Sequence, residues 1–229
     1  MEKTLKSKDY RRIFFLYGII CATIPIIITE IIWDMLIGDV IINRLIGIKE
    51  GLLKELIASF FRAALLEEFF KFFGFMRANK EYHFSNEKEY MLGAGMVGLA
   101  YGIIEKVFTG NAMAIILGII FPMHIIWQMN QGRHFYKYKK AKNEGNTKKA
   151  KKEFILATFI IFLMHGCWDA SISLVEYFAS TSKNINAETI GSILLVVTIL
   201  FGIIYIVISI IKIRKVLNKY KNLSVDVDK

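Results

Sequence analysis

Glu67, Glu68 and Lys71 stand inside the apolar, aromatic run AALLEEFFKFFGFM at 63–76. On a helix the two glutamates lie about 100° apart, and Lys71, four residues from one and three from the other, falls between them. One ammonium there partly neutralises two carboxylates, and such a group of charges is the equipment of general acid–base chemistry. Further along, MLGAGMVGLAYGIIEKVFTG places Gly95, Gly98 and Gly102 on one helical stripe that Glu105 continues, with Tyr101 one turn before it. Small residues admit a neighbouring helix, so Glu105 is expected to face protein and not lipid. His124 follows Pro122, whose ring is expected to kink its helix and expose a carbonyl. By itself His124 reads as a satisfied core residue. His165 and Asp169, four apart in HGCWD, match the arrangement by which a carboxylate orients an imidazole. A structural salt bridge and a structural His–Asp pair are the bland alternatives for the first and last groups.

These side chains need elements that hold them in oil. The 229 residues are 55% hydrophobic with a mean hydropathy of +0.43, too apolar for an ordinary soluble domain. Apolar stretches of spanning length recur, and two prolines with no alternating pattern argue against a barrel. The expectation is an all-α, polytopic membrane helix bundle forming one domain over 1–229, with spans near 13–33, 51–74, 91–109, 112–132, 154–180 and 189–212. The first apolar run lacks a small-residue cleavage site and reads as an uncleaved span. Cys21 and Cys167 lie in apolar runs and read as packing residues, not as a disulfide.

Lysine and arginine locate the faces. Segments 1–12, 75–90, 133–153 and 212–229 hold five, three, nine and six of them, so 23 fall on one side against 3 on the other. This split puts both termini in the cytoplasm of a cell-membrane protein. The net charge of +10 then marks cytoplasmic segments, and no nucleic-acid partner is expected. The run 133–153 reads as a solvated loop near anionic lipid. Segment 34–50 is too short and too charged to span and reads as an amphipathic or re-entrant piece. Counted at about 1.5 Å per residue, Glu67, Glu105, His124 and His165 all fall roughly 10–20 Å from the cytoplasmic ends, a range compatible with one cluster.

In order, EEFFK at 67–71, YGIIE at 101–105, His124 and HGCWD at 165–169 resemble the PrsW family of intramembrane proteases. That family's pattern is Glu-Glu-x-x-Lys, then an aromatic-x-x-x-Glu, then His-x-x-x-Asp, all within membrane helices; the resemblance covers about residues 60–175. The related prenyl-protein (CAAX) protease and bacteriocin-immunity group carries an arginine where Phe72 stands and a histidine where Glu105 stands, which favours PrsW. The tyrosine before Glu105 departs mildly from the usual phenylalanine. The resemblance implies cleavage of membrane-anchored, single-span regulators such as anti-sigma factors. It also implies a catalytic set of Glu67, Glu68, Lys71, Glu105, His124, His165 and Asp169, in which Glu67 activates water, Glu68 and Lys71 hold charge and geometry, and His165, oriented by Asp169, stabilises the oxyanion.

The residues carry no Gly-x-Ser-x-Gly and no His-Glu-x-x-His, which argues against serine and classical zincin mechanisms. Cys167 and His165 point about 200° apart on a helix, which argues against a thiol nucleophile. His124, His165 and Glu105 form a candidate zinc set of the two-histidine, one-carboxylate type. The resemblance leaves metal and glutamic mechanisms open, since PrsW proteins are classed as metalloproteases and their cousins are described as glutamic. The absence of any ligand motif joining the two histidines tilts the expectation toward the metal-free form. A proton-coupled transporter or receptor is the competing class, but it would favour paired broken helices in two halves, and no second half matches the Pro122 span.

Overall fold

The computed structural model describes residues 9–28, 52–82, 84–109, 122–181 and 185–225. Among them every regular element is helical. Helix α1 is Asp9–Ile28; α2 is Leu52–Ile57, followed without a break by a π-helical segment, Ala58–Leu65, and α3, Leu66–Tyr82. Helix α4 is Glu87–Thr109, α5 Met123–Asn143, α6 Thr147–Ala157, α7 Phe159–Thr181 and α8 Ile185–Val225. The described parts of the expected spans at 13–33, 51–74, 91–109 and 189–212 fall on helix, and 154–180 does so apart from the turn at Thr158. Two stretches, Glu87–Phe108 and Thr147–Val175, are long and apolar enough to cross a membrane among the described residues. Segment 34–50 lies outside them.

Apolar side chains lie outward where a soluble protein would hide them. Leu16, Ile20, Ile24 and Ile27 form an exposed stripe on α1, and Phe61, Leu65, Phe69 and Phe73 form another through the π segment and α3. On α8, Ile193, Val197, Leu200, Phe201, Ile204 and Ile211 are all exposed. Outward apolar faces of this extent suit acyl chains as solvent and not water.

Two expectations are corrected. Pro122 is not inside α5 but its N-cap residue, the position before the first turn where its missing N–H costs nothing. Residues 112–121 of that expected span lie outside the described ones. The run 133–153 is not a solvated loop but a helical hairpin, α5 continuing to Asn143 and α6 starting at Thr147. The turn is tight because Gly145 takes φ +71°, a conformation that side chains with a Cβ resist. Asn146 then caps α6 by accepting from the Lys149 N–H.

The chain divides into two compact units: Met1–Thr23, Phe70–Ile161 and Tyr205–Lys229 form one, and Ile24–Phe69 with Phe162–Ile204 form the other. The first has a core of Phe14, Phe75, Tyr90, Val97 and Phe135. Its rings meet edge to face, as at Phe75 and Phe135 (centroids 5.8 Å apart). The same core turns the hairpin from loop into helix, because the lysines alternate with aromatics that pack inward, such as Phe135, Tyr136 and Tyr138. Half-buried between the hairpin helices, His134 Nδ1 lies 2.7 Å from Glu153, and desolvation pushes its pKa down despite that carboxylate. The Asn130 side-chain amide donates to Tyr205 at 2.9 Å and Ser209 at 3.1 Å, tying α5 to α8.

Candidate active site

In the unit that contains Glu67 and Glu68, the chain enters α3 from the π segment. π-Helical turns are rare and frequent at functional sites, because widening the helix re-aims the side chains that follow. Ser59 in that segment shares a hydrogen bond with Ser173 of α7 at 3.0 Å. Phe60 packs edge-on against Phe162 and lies so close to Gly166 that any side chain there would collide with its ring. Gly166 follows His165 directly, so the close approach sets the histidine against the glutamates.

His165 is buried and ringed by carboxylates. Its Nδ1 is 2.9 Å from Glu68 Oε1; its Nε2 is 3.2 Å from Asp169 Oδ2 and 3.8 Å from Glu67 Oε2. Glu68 is buried with it, whereas the Glu67 and Asp169 side chains keep 16% and 25% exposure. The two glutamates are therefore unequal: Glu68 holds the ring, and Glu67 is open to a small molecule. The Nε2 side, with oxygens of Glu67 and Asp169 about it, suits a cation. A ring nitrogen with carboxylate oxygens is a donor set that zinc-type ions take.

In the other unit the glycine stripe of α4 meets α5. A side chain at Gly98 would strike the His124 carbonyl, and a Cβ at Gly102 would lie 3.3 Å from the His124 ring. This close approach brings His124 Nε2 to Glu105 Oε2 at 2.7 Å. Glu105 also meets Lys106 at 3.2 Å. Lys71, fully buried, puts its Nζ 3.0 Å from His124 Nδ1 and 4.0 Å from the centre of the Tyr101 ring. An ammonium has no acceptor capacity, so Lys71 donates to Nδ1 and the Nε2–H donates to Glu105. Tyr101, one turn before Glu105, gives its ring face to that ammonium.

The sequence chemistry of the Glu-Glu-x-x-Lys, Tyr-x-x-x-Glu and His-x-x-x-Asp groups is thus built on helices, and a family sequence profile matches it. The profile described as "PrsW family intramembrane metalloprotease" covers residues 7–206. The chain belongs to this family. It is an intramembrane peptidase, a membrane protein whose substrates lie in membranes. It is 30% identical to "Protease PrsW" of Oceanobacillus iheyensis over 158 residues, 62% of this chain and 71% of the relative. It is 26% identical to "Protease PrsW" of Clostridioides difficile over 174 residues, 72% of this chain and 67% of the relative. No solved structure matches. The metalloprotease description of the PrsW family runs against the tilt toward a metal-free site.

His165 was expected to meet Asp169, and it does. The contacts of His165 with Glu68 and of His124 with Glu105 were not read from the sequence, although all four residues were singled out. Residues 97 and 19 positions apart carry no spacing signal of a shared hydrogen bond. Cys167 is a free, exposed thiol on the opposite side of its helix from buried His165, and Cys21 is free and buried.

Proposed function

We propose that this peptidase is a multi-pass protein of the cell membrane that cuts a single-span regulatory protein, of the anti-sigma type, in a signalling or stress response. The proposed site draws on Glu67, Glu68, Lys71, Glu105, His124, His165 and Asp169. The observation that carries the reading is the His165 ring, fixed through Nδ1 by Glu68 at 2.9 Å and turned at Nε2 toward Glu67 and Asp169. The order of the motifs within one family match supports the joint role of the remaining residues.

Hydrolysis needs an activated water and a stabilised oxyanion. Glu67, the more open of the glutamates, handles the water. Glu68 locks the tautomer and orientation of His165, so that Nε2 is the nitrogen offered to the reaction. Asp169 stabilises positive charge on that nitrogen. Glu105 does the same for His124, with both of its oxygens already engaged by His124 and Lys106. This assigns Glu105 to orientation and leaves His165, with oxygens of Glu67 and Asp169 about its Nε2, as the proposed holder of a zinc-type ion, with His124 a further candidate ligand on the family resemblance. When bound, such an ion would supply a more acidic water and a polarised carbonyl. The fit is direct at His165; at His124 Nδ1 it requires exchange of the hydrogen bond from Lys71.

Purified protein in liposomes should cut a single-span substrate carrying a fluorescent tag, releasing the tag into the aqueous phase. Uptake or binding of a solute with no cleavage of any single-span substrate would favour the transporter class and overturn the reading.

We further propose six spans with both termini and the α5–α6 hairpin in the cytoplasm, supported by the 23-to-3 distribution of Lys and Arg. Glu144→Cys, beside Gly145 at the exposed hairpin turn, should react with an impermeant thiol reagent only after the inner face is opened, in a background with Cys21 and Cys167 replaced. Labelling in intact cells would reverse the topology.

A further inference from the structure

The stretch from α6 into α7 presents an open groove of about 350 Å³ lined by Lys148, Lys151, Lys152, Ile155, Leu156 and Ile160. These positions follow a single helical stripe that rises about 18 Å along the axis. Charge gathers at one end of the stripe and branched hydrocarbon at the other. The helix that carries it, Thr147–Val175, is one of the two stretches able to cross a membrane. Its basic end therefore meets headgroups where its apolar end meets acyl chains.

The lysines of this groove differ from their neighbours on the hairpin. Arg133 and Lys137 face Glu87 at 3.1 and 4.0 Å, Lys140 faces Glu144 at 3.9 Å, and Lys139 donates to Tyr90 at 3.0 Å. Lys148, Lys151 and Lys152 are exposed and have no acidic partner among the described residues. Beside them Ile155 is 41% exposed. Three uncompensated ammonium groups above an unfilled apolar wall match one molecular class: a phosphate on a hydrocarbon chain.

We propose that this groove is a binding site for one anionic phospholipid. The phosphate lies among Lys148, Lys151 and Lys152, and an acyl chain runs along Ile155, Leu156 and Ile160. The site is selective for anionic over zwitterionic lipid because the lysines receive no charge from the protein. It does not depend on the peptidase reading. Its consequence is mechanical: a bound lipid fixes the depth of the helix that leads into α7.

Lys149 supplies the control, since it lies on the same helix with the same charge but does not line the groove. Full-length protein is reconstituted in phosphatidylcholine with a minority of phosphatidylglycerol, extracted in mild detergent, and read by native mass spectrometry. One phosphatidylglycerol per chain should remain on the wild type and on Lys149→Ala. Each lysine removed from the groove should cost roughly fivefold in retention, the scale of one basic residue at an anionic surface, so Lys151→Ala with Lys152→Ala should lose it. Ile155→Ser should weaken retention with the charge intact, and glycerol phosphate without chains should not displace the lipid. Circular dichroism and size-exclusion profiles verify that each variant is folded. Equal retention of phosphatidylcholine, equal loss in Lys149→Ala, full retention in the double variant, or displacement by glycerol phosphate would each overturn the proposal. So would capture of an acidic peptide with no lipid retained.

Discussion

Glu67→Gln should insert and fold as the wild type does and fail to cut. The amide keeps the volume of the carboxylate and removes both its charge and its basicity. A positioned general base contributes about 10²- to 10⁴-fold to a proton transfer, so cleavage should fall by that factor. A ligand carboxylate replaced by an amide would lose its activity as surely, so the result holds in either chemistry. Glu68→Gln should act through His165, because an amide at Glu68 Oε1, 2.9 Å from Nδ1, still accepts a hydrogen bond but no longer stabilises a charged ring. Loss of a carboxylate that orients a working histidine costs roughly 10- to 100-fold. Glu68→Gln should therefore be the milder variant. The comparison is made by cleavage rate in liposomes, with helix content and extraction yield matched. Full activity in both variants would exclude the glutamates from hydrolysis and remove the mechanism proposed here.

The second large effect concerns a metal. Purified protein should carry about one equivalent of a zinc-type ion; a strong chelator should stop cleavage, and the ion should restore it. His165→Ala should lower metal content and cleavage together. Asp169→Asn and Glu105→Gln should each weaken metal retention by about 10- to 100-fold, the first by removing a carboxylate oxygen beside Nε2 of His165 and the second by removing the carboxylate that orients His124. Elemental analysis beside a chelation–rescue series reads both. Activity that survives complete chelation, with His165→Ala slowing the rate and no ion bound to any variant, would establish a glutamic mechanism instead.

The helices were legible in the sequence because long apolar runs permit little else in lipid. The glycine stripe was legible too: Gly95, Gly98 and Gly102 face α5, and Glu105 at its end meets a side chain of that helix. The α5–α6 hairpin was not, because its many lysines dominate any average of polarity, while the few aromatics that fold it work through distant partners such as Phe14 and Phe75. The π segment gave no sequence signal, since widening a helix depends on what packs against it, here Phe162 and Ser173 of α7. In the candidate site the residue types were readable and two of the pairings were not. Lys71 was expected between the glutamates, and its reach to His124 and Tyr101 on other helices lies beyond what helical spacing can express.

The 97 residues between Glu68 and His165 also set an order of biosynthesis. At about 5–20 residues per second, a ribosome finishes the glutamates roughly 5–20 s before their histidine. During that interval α3, in the proposed topology, enters the membrane with its carboxylates and without the imidazole they will hold, at the cost that buried ionisable groups carry there. The nascent chain therefore stays without its proposed hydrolytic centre until His165 has been made. A protease whose substrates share its own bilayer would thereby be unable to act before its own synthesis reaches α7.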